Sequence, residues 1–211
     1  MIQRFTASNY KNYCDRLAET NKKIQKIIKT FGYPLFSPRS AEFDGLVRII
    51  LEQQVSVASA LAVYKKLKAL INPVTPEKLI RLEEGDFKSC GFSRQKTRYV
   101  KILANEILEK RLDLTKISTL PDTEVKEKLI TVKGIGNWTC DVYLLFCLNR
   151  LDVFPIGDLA LVKSMVENQL IDKNPSKTEI QKVSERHKPL RSILAIVLWH
   201  AYIAKRKLIS L

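Results

Sequence analysis

The sequence predicts an all-α chain of about nine or ten helices, and three observations carry that expectation. Apolar residues recur at i, i+3, i+4, i+7 and i+8 along most of its length. Helix-start signatures stand in front of several of these runs, among them Thr75-Pro76 and Ser93. No alternating apolar–polar run long enough for a half-buried strand interrupts the pattern, and no internal repeat is visible.

The elements follow in order. Lys22 to Thr30 has helical character, and the segment from Phe31 to Pro38 is rich in turn residues. Ser40 stands as a cap before Phe43, Leu46, Val47, Ile50 and Leu51, which share one helical face. Val57, Ala60, Leu61, Tyr64 and Leu67 repeat the spacing. Thr75 followed by Pro76 opens a short helix reaching Leu82, because proline at the first helical position gives up an N–H that has no partner there anyway. Ser93 caps a longer helix whose inner face is Val100, Leu103, Ala104, Ile107 and Leu108. Pro121-Asp122 starts the next, Thr178 stands as the cap of another, and Pro189 opens a last apolar helix that ends near Lys205.

The most informative stretch is LITVKGIGNWTCDVYLLFCLNRLDVFPIGD, residues 129–158. Gly134 and Gly136 permit positive φ, so the chain can turn tightly between two helical segments. The helix after such a turn begins with backbone N–H groups that have no intrahelical partner, which suits an anion such as a DNA phosphate. Twenty-two residues after Gly136 comes Asp158, in FPIGDLAL, where Gly157 gives a bend and Leu159 to Val162 open a further helix. A phosphate grip with a lone carboxylate nearby points to an enzyme acting on nucleic acid. Asp158 also reads as a plain cap of the helix that begins at Leu159.

These residues resemble the helix-hairpin-helix DNA glycosylase superfamily, and within it the DNA-3-methyladenine glycosylase II branch. The hairpin, VKGIG at 132–136, roughly follows that family's L-x-G-apolar-G pattern, and Asp158 falls where its catalytic aspartate follows. The likeness extends over roughly residues 40 to 205 and takes in ILEQQVSVASA (50–60), GFSRQKTRYVKILA (91–104) and KPLRSILAIVLWHAY (188–202). It implies a two-lobed helical fold without an N-terminal β domain. Residues 1–40 and 160–211 would form one lobe and 41–159 the other, with the hairpin at 129–145 and both hairpin and Asp158 facing a cleft.

The resemblance also assigns roles. Asp158 becomes the carboxylate that stabilises an oxocarbenium-like transition state as an N-glycosidic bond breaks. Trp138 stands two residues after the second hairpin glycine, where bifunctional relatives carry the lysine that forms a Schiff base. Strand cleavage by lyase chemistry is therefore not expected, and water is the nucleophile. Trp138, Tyr143 and Trp199 become walls of a base pocket, where an aromatic face attracts cationic alkylated purines; each also reads as a core residue. Leu190 replaces a pocket tryptophan of the family's KPWRS segment, and Val142 stands where some relatives have tyrosine, so the pocket is less aromatic than its kin. The amides of Gly134, Gly136 and Trp138 would meet phosphate, with Lys133, Lys96 and Arg98 as further DNA contacts. Gln54 takes the place of the wedge that fills the gap left by a flipped base. Arg191 and Ser192 match the family near the lobe interface. No cofactor or protein-bound metal is implied, apart from a monovalent cation that relatives bind at the hairpin carbonyls with DNA.

Composition sets outer limits. The chain has 211 residues, with 36 Lys+Arg against 22 Asp+Glu, a net charge of +14. That excess favours polyanions by counterion release, although lysine-rich surfaces also serve proteins with no nucleic-acid role. Cys14, Cys90, Cys140 and Cys147 form no CxxC pair, which argues against a structural zinc site, a disulfide framework and the four-cysteine iron–sulfur loop of the endonuclease III branch. His187 and His200 are too few and too far apart for a catalytic dyad. Met1 to Tyr10 lacks the apolar core of a signal peptide, and no run reaches membrane-spanning length, so a cytoplasmic chain without membrane contact is expected. The reading is thus a monomeric, monofunctional glycosylase for 3-methyladenine-type bases in double-stranded DNA. Open beside it stand a glycosylase for hypoxanthine, uracil or another base, and a non-catalytic DNA-binding module.

Overall fold

The computed structural model describes residues 2–206, and these contain thirteen helices and no strand. A single antiparallel bridge joins Arg4 and Arg150. The chain divides into two compact units. The first takes the chain up to Pro38 and again from Leu144 onward; the second is Arg39–Tyr143. Met1 and the last five residues of the lobe expected to run to 211 lie outside the described residues.

The first unit holds α1 (Tyr10–Thr20), α2 (Lys22–Phe31), α11 (Leu159–Glu167), α12 (Lys177–Glu185) and α13 (Arg191–Arg206). Ile24, Ile27 and Ile28 give α2 one apolar side, and its C-terminus stops at Gly32, whose φ of 78° suits a residue without Cβ. The apolar helix α13 is the centre of this unit, and α1, α2, α11 and α12 pack on it. Its Ile193, Leu194 and Val197 share a core with Phe5, Leu17, Ile24, Leu161 and Met165. Residues 144–159, grouped by the sequence with the middle of the chain, belong here instead. Leu145, Leu151 and Phe154 are buried in this core, so the segment cannot be separated from it.

The second unit begins with α3 (Phe43–Glu52), α4 (Val57–Leu70), α5 (Pro76–Ile80), α6 (Glu84–Cys90) and α7 (Arg94–Leu108). It continues through α8 (Leu114–Ser118) and α9 (Asp122–Ile130) into α10 (Asn137–Phe146), within which the boundary falls. Leu46, Val47 and Ile50 on α3 and Val100, Leu103 and Ala104 on α7 are buried where these helices pack together.

The helices beyond nine or ten are those with weak start signals. The Asn9 side chain makes no capping bond to α1 and accepts instead from Thr6 N at 2.7 Å. The capping box of α6 uses two carboxylates, Glu83 and Asp86, in place of a hydroxyl. Helix α8 has five residues, too few to show a period. Two expected caps shift by two residues. Ser176, not Thr178, caps α12 and forms a capping box with Glu179. The N-cap of α3 is Glu42, whose amide donates to Ser40 Oγ at 3.1 Å. Thr75 and Ser93 cap α5 and α7 as the sequence indicates, through Lys78 N and Lys96 N.

Candidate DNA-processing site

In the second unit, the turn between α9 and α10 is anchored by two apolar residues, Val132 and Ile135, both buried. Ile135 N donates to the Val132 carbonyl at 3.0 Å. Gly134 has φ of 99°, and a Cβ built there would stand 2.3 Å from the Tyr99 ring. Only glycine fits, because both the backbone angle and the close approach exclude a side chain. Gly136 differs from the expectation: its φ is not positive, and nothing lies within 4 Å of a Cβ placed on it. Its carbonyl accepts from Cys140 N at 3.0 Å, so it is the residue from which α10 starts, without a side chain that could cap.

Other contacts hold the turn in place. Gln53 Nε2 donates to the Gly134 carbonyl at 2.9 Å and to Thr139 Oγ1 at 3.0 Å. Lys126 on α9 pairs with Asp141 on α10. The carbonyls of Val132 and Gly134 already accept from Ile135 and Gln53, which leaves each one lone pair for a monovalent cation. Lys133 is exposed at the turn, and Trp138 is half-buried in the first turn of α10.

Gln54 is exposed in the turn after α3 with a left-handed φ of 55°. Arg98 is exposed on α7. The Lys96 ammonium donates to the Leu51 carbonyl at 2.6 Å, at the C-terminal end of α3. Burial holds its pKa below the usual lysine value, against the pull of Glu52. Tyr143 is corrected as a pocket wall. It is 0% exposed, and its hydroxyl donates to the Ala41 carbonyl at 2.6 Å, so no ring face is open. A cavity of about 250 Å³ beside the turn is lined by Gln53, Gln54, Ser93, Gln95 and Lys96. A larger one of about 720 Å³, lined by Phe43, Val74, Pro76 and Leu112, includes none of the predicted site residues.

In the first unit, Asp158 is the N-cap of α11. Its Oδ1 accepts from Leu161 N at 2.9 Å, and its own amide donates to the Pro155 carbonyl at 3.0 Å. The carboxylate is thereby held in one orientation at 8% exposure. Leu159 beside it leaves its side chain 76% exposed. The loop upstream is fastened by α13. Arg191 makes a two-pronged ion pair with Asp152 at 2.7 and 3.0 Å, and Ser192 Oγ donates to the Arg150 carbonyl while accepting from Val153 N. Leu190 is buried in the unit's core and is corrected as a lining residue. Trp199 is half-buried against that core and stacks on Phe146 with ring centres 5.3 Å apart.

The remaining reactive groups are structural. All four cysteines are buried and none is in a disulfide, and burial pushes the Cys14 and Cys140 thiols up to about 12. His187 Nδ1 bonds to the Val183 carbonyl and His200 Nε2 to the Phe31 carbonyl. Among the described residues no group of three or more His, Cys, Asp or Glu is gathered as a metal site, and no helix is long and apolar enough to cross a membrane.

Sequence reasoning missed Gln53, Tyr99 and Thr139. Gln53 sits in the same EQQVS segment as Gln54, but only its side-chain geometry separates the residue that holds the turn from the one at its tip.

An all-helical chain with a glycine hairpin feeding one helix and an aspartate seated at the start of the next has the architecture of a helix-hairpin-helix DNA glycosylase. The chain belongs to the HhH-GPD superfamily of base excision DNA repair proteins, whose profile matches residues 47–189. It is 28% identical over 207 residues to the alkylbase DNA glycosidase-like protein mag2 of Schizosaccharomyces pombe, covering 95% of this chain and 97% of that one. It is also 28% identical to DNA-3-methyladenine glycosylase 1 of the same yeast, covering 87% and 82%. The solved structure of S. pombe 3-methyladenine DNA glycosylase (Mag1) in complex with abasic DNA superposes with a TM-score of 0.80 at 27% identity, covering 89% and 95%.

Proposed function

We propose that this chain is a monofunctional DNA N-glycosylase that excises alkylated purines of the 3-methyladenine type from double-stranded DNA. The observation that carries this reading is the seating of Asp158: a nearly buried carboxylate, oriented by a backbone N–H at a helix start. The names of the relatives agree with it, since each printed above is an alkylbase or 3-methyladenine glycosylase or is like one.

The chemistry follows from the residues. As the bond between base and C1′ lengthens, positive charge builds on the sugar, and the fixed Asp158 carboxylate stabilises it without having to reorganise. The base departs with the bonding electrons, water adds to C1′, and the proton it loses passes to solvent. A cationic alkylated purine leaves as a neutral molecule, so the protein need not supply a strong acid. The N–H groups at the start of α10 and Lys133 hold the phosphate backbone. Trp138 stands in place of the Schiff-base lysine, and Lys133 precedes the turn and meets phosphate, so the strand stays intact. The enzyme works as a monomer in the cytoplasm and needs no cofactor.

Chromatography of bases freed from methylated duplex DNA tests this reading, with 3-methyladenine release expected and no borohydride-trapped adduct. A trapped adduct would overturn water as the nucleophile. Burial of the Tyr143 ring, with leucine rather than tryptophan at position 190, reduces the aromatic surface open to a cationic base. That favours a second substrate reading, hypoxanthine or uracil, and a panel of deaminated bases separates the two.

A further inference from the structure

We propose that Gln53 is a positioning residue that locks the turn carrying Gln54 to the hairpin, so that gripping the DNA backbone and inserting residue 54 into the duplex occur as one event. This rests on the glycosylase reading above.

The backbone of the turn is the first observation. Gln53 has φ −61° and ψ 124°, and Gln54 has φ 55°. The φ of Gln54 lies in the left-handed region, which glycine or asparagine normally occupies. Glutamine there is strained, and strain of this kind persists only where its surroundings over-determine it. Gln54 is exposed, so nothing about burial accounts for a long polar side chain at that angle.

The surroundings supply the restraint. Gln53 Nε2 spans to the Gly134 carbonyl and to the hydroxyl of Thr139, which is buried in the first turn of α10. Helix α7 reinforces the bridge from behind. Its Lys96 ammonium holds the Leu51 carbonyl just before the turn, and its Tyr99 ring fills the space that a Cβ on Gly134 would need. Two loops far apart in sequence are thus fixed to each other by one amide and to one helix by two side chains. All of these residues lie in the second unit. The direct bridge from Gly134 to the turn is one side chain, Gln53, with α7 behind both.

A duplex with 2-aminopurine opposite a stable abasic analogue tests this without turnover, since its fluorescence reports filling of the gap. Gln53→Met keeps the volume and removes both donors. We expect its affinity for the duplex to stay within about twofold of wild type, while the insertion rate falls about tenfold. Gln54→Ala is expected to slow insertion similarly, and the double variant to be no slower than either single one. Independent, multiplying effects would overturn the proposal, as would affinity and insertion falling in the same proportion. If Gln53→Met does not fold, Thr139→Val removes one acceptor and must slow insertion by about threefold; an unchanged rate there also overturns it. Wild type that inserts but excises nothing, with Gln53→Met slowed, upholds the coupling and sinks the glycosylase reading. Normal insertion in Gln53→Met beside an inactive Asp158→Asn does the reverse.

Discussion

Two helix starts in this chain solve the same electrostatic problem in opposite ways. Helix α10 begins at Gly136, which has no side chain to cap it and open space around its α-carbon. Helix α11 begins at Asp158, whose carboxylate already bonds the N–H of Leu161. The first has no capping side chain of its own; the second fills its positive end with its own anion and keeps it fixed. A protein that binds a polyanion and stabilises a cation on the sugar has use for both. Each terminus is defined by one residue, so exchanging their chemistry is a direct test.

The largest expected effect is at Asp158. Asparagine caps helices as well as aspartate does, so Asp158→Asn should leave the melting temperature unchanged. Base excision should nevertheless fall about a hundredfold or more, with DNA binding retained or tightened because a negative charge has gone. Next is Gly134→Ala, which forces a Cβ into the Tyr99 ring at a left-handed φ. A denaturant titration should register a loss of about 3 kcal/mol. Gly136→Asp turns the open helix start into a copy of the α11 one. The fold should accept it, because its φ is ordinary and the space is free, yet duplex affinity should drop about tenfold in a salt titration. Equal affinity would show that the α10 start does not meet phosphate. Asp158→Ala removes the cap as well as the charge, and should cost about 1 kcal/mol more stability than Asp158→Asn in the same titration. Smallest is thiol alkylation. With Cys14 and Cys140 buried and their thiols held near 12, iodoacetamide at neutral pH should leave excision unaltered.

Much of this comparison was legible in the sequence. The glycine hairpin and the spacing to Asp158 located both helix starts, since glycine and capping residues act through their immediate neighbours. Thr75 and Ser93 announced α5 and α7 for the same reason. What escaped notice depends on residues distant in the chain. Tyr143 has the composition of a pocket wall, and only its bond to Ala41, a hundred and two positions away, identifies it as an anchor. Lys96 reads as a surface lysine, and only the structure shows its ammonium on the Leu51 carbonyl, forty-five positions away. Gln53 and Gln54 are identical in type and adjacent, so no local rule separates them. The boundary at Leu144 falls inside a continuous helix, where periodicity carries no mark of a change in packing partners.

The central claim is that Asp158 does chemistry in addition to capping α11. The most direct test is single-turnover release of 3-methyladenine from methylated duplex DNA by wild type and Asp158→Asn, with the melting temperature of each protein recorded alongside. The account predicts matched melting temperatures, release by wild type, and loss of release in the variant while it still binds the duplex. Undiminished release by a stable Asp158→Asn protein would contradict it and leave Asp158 as a helix cap alone.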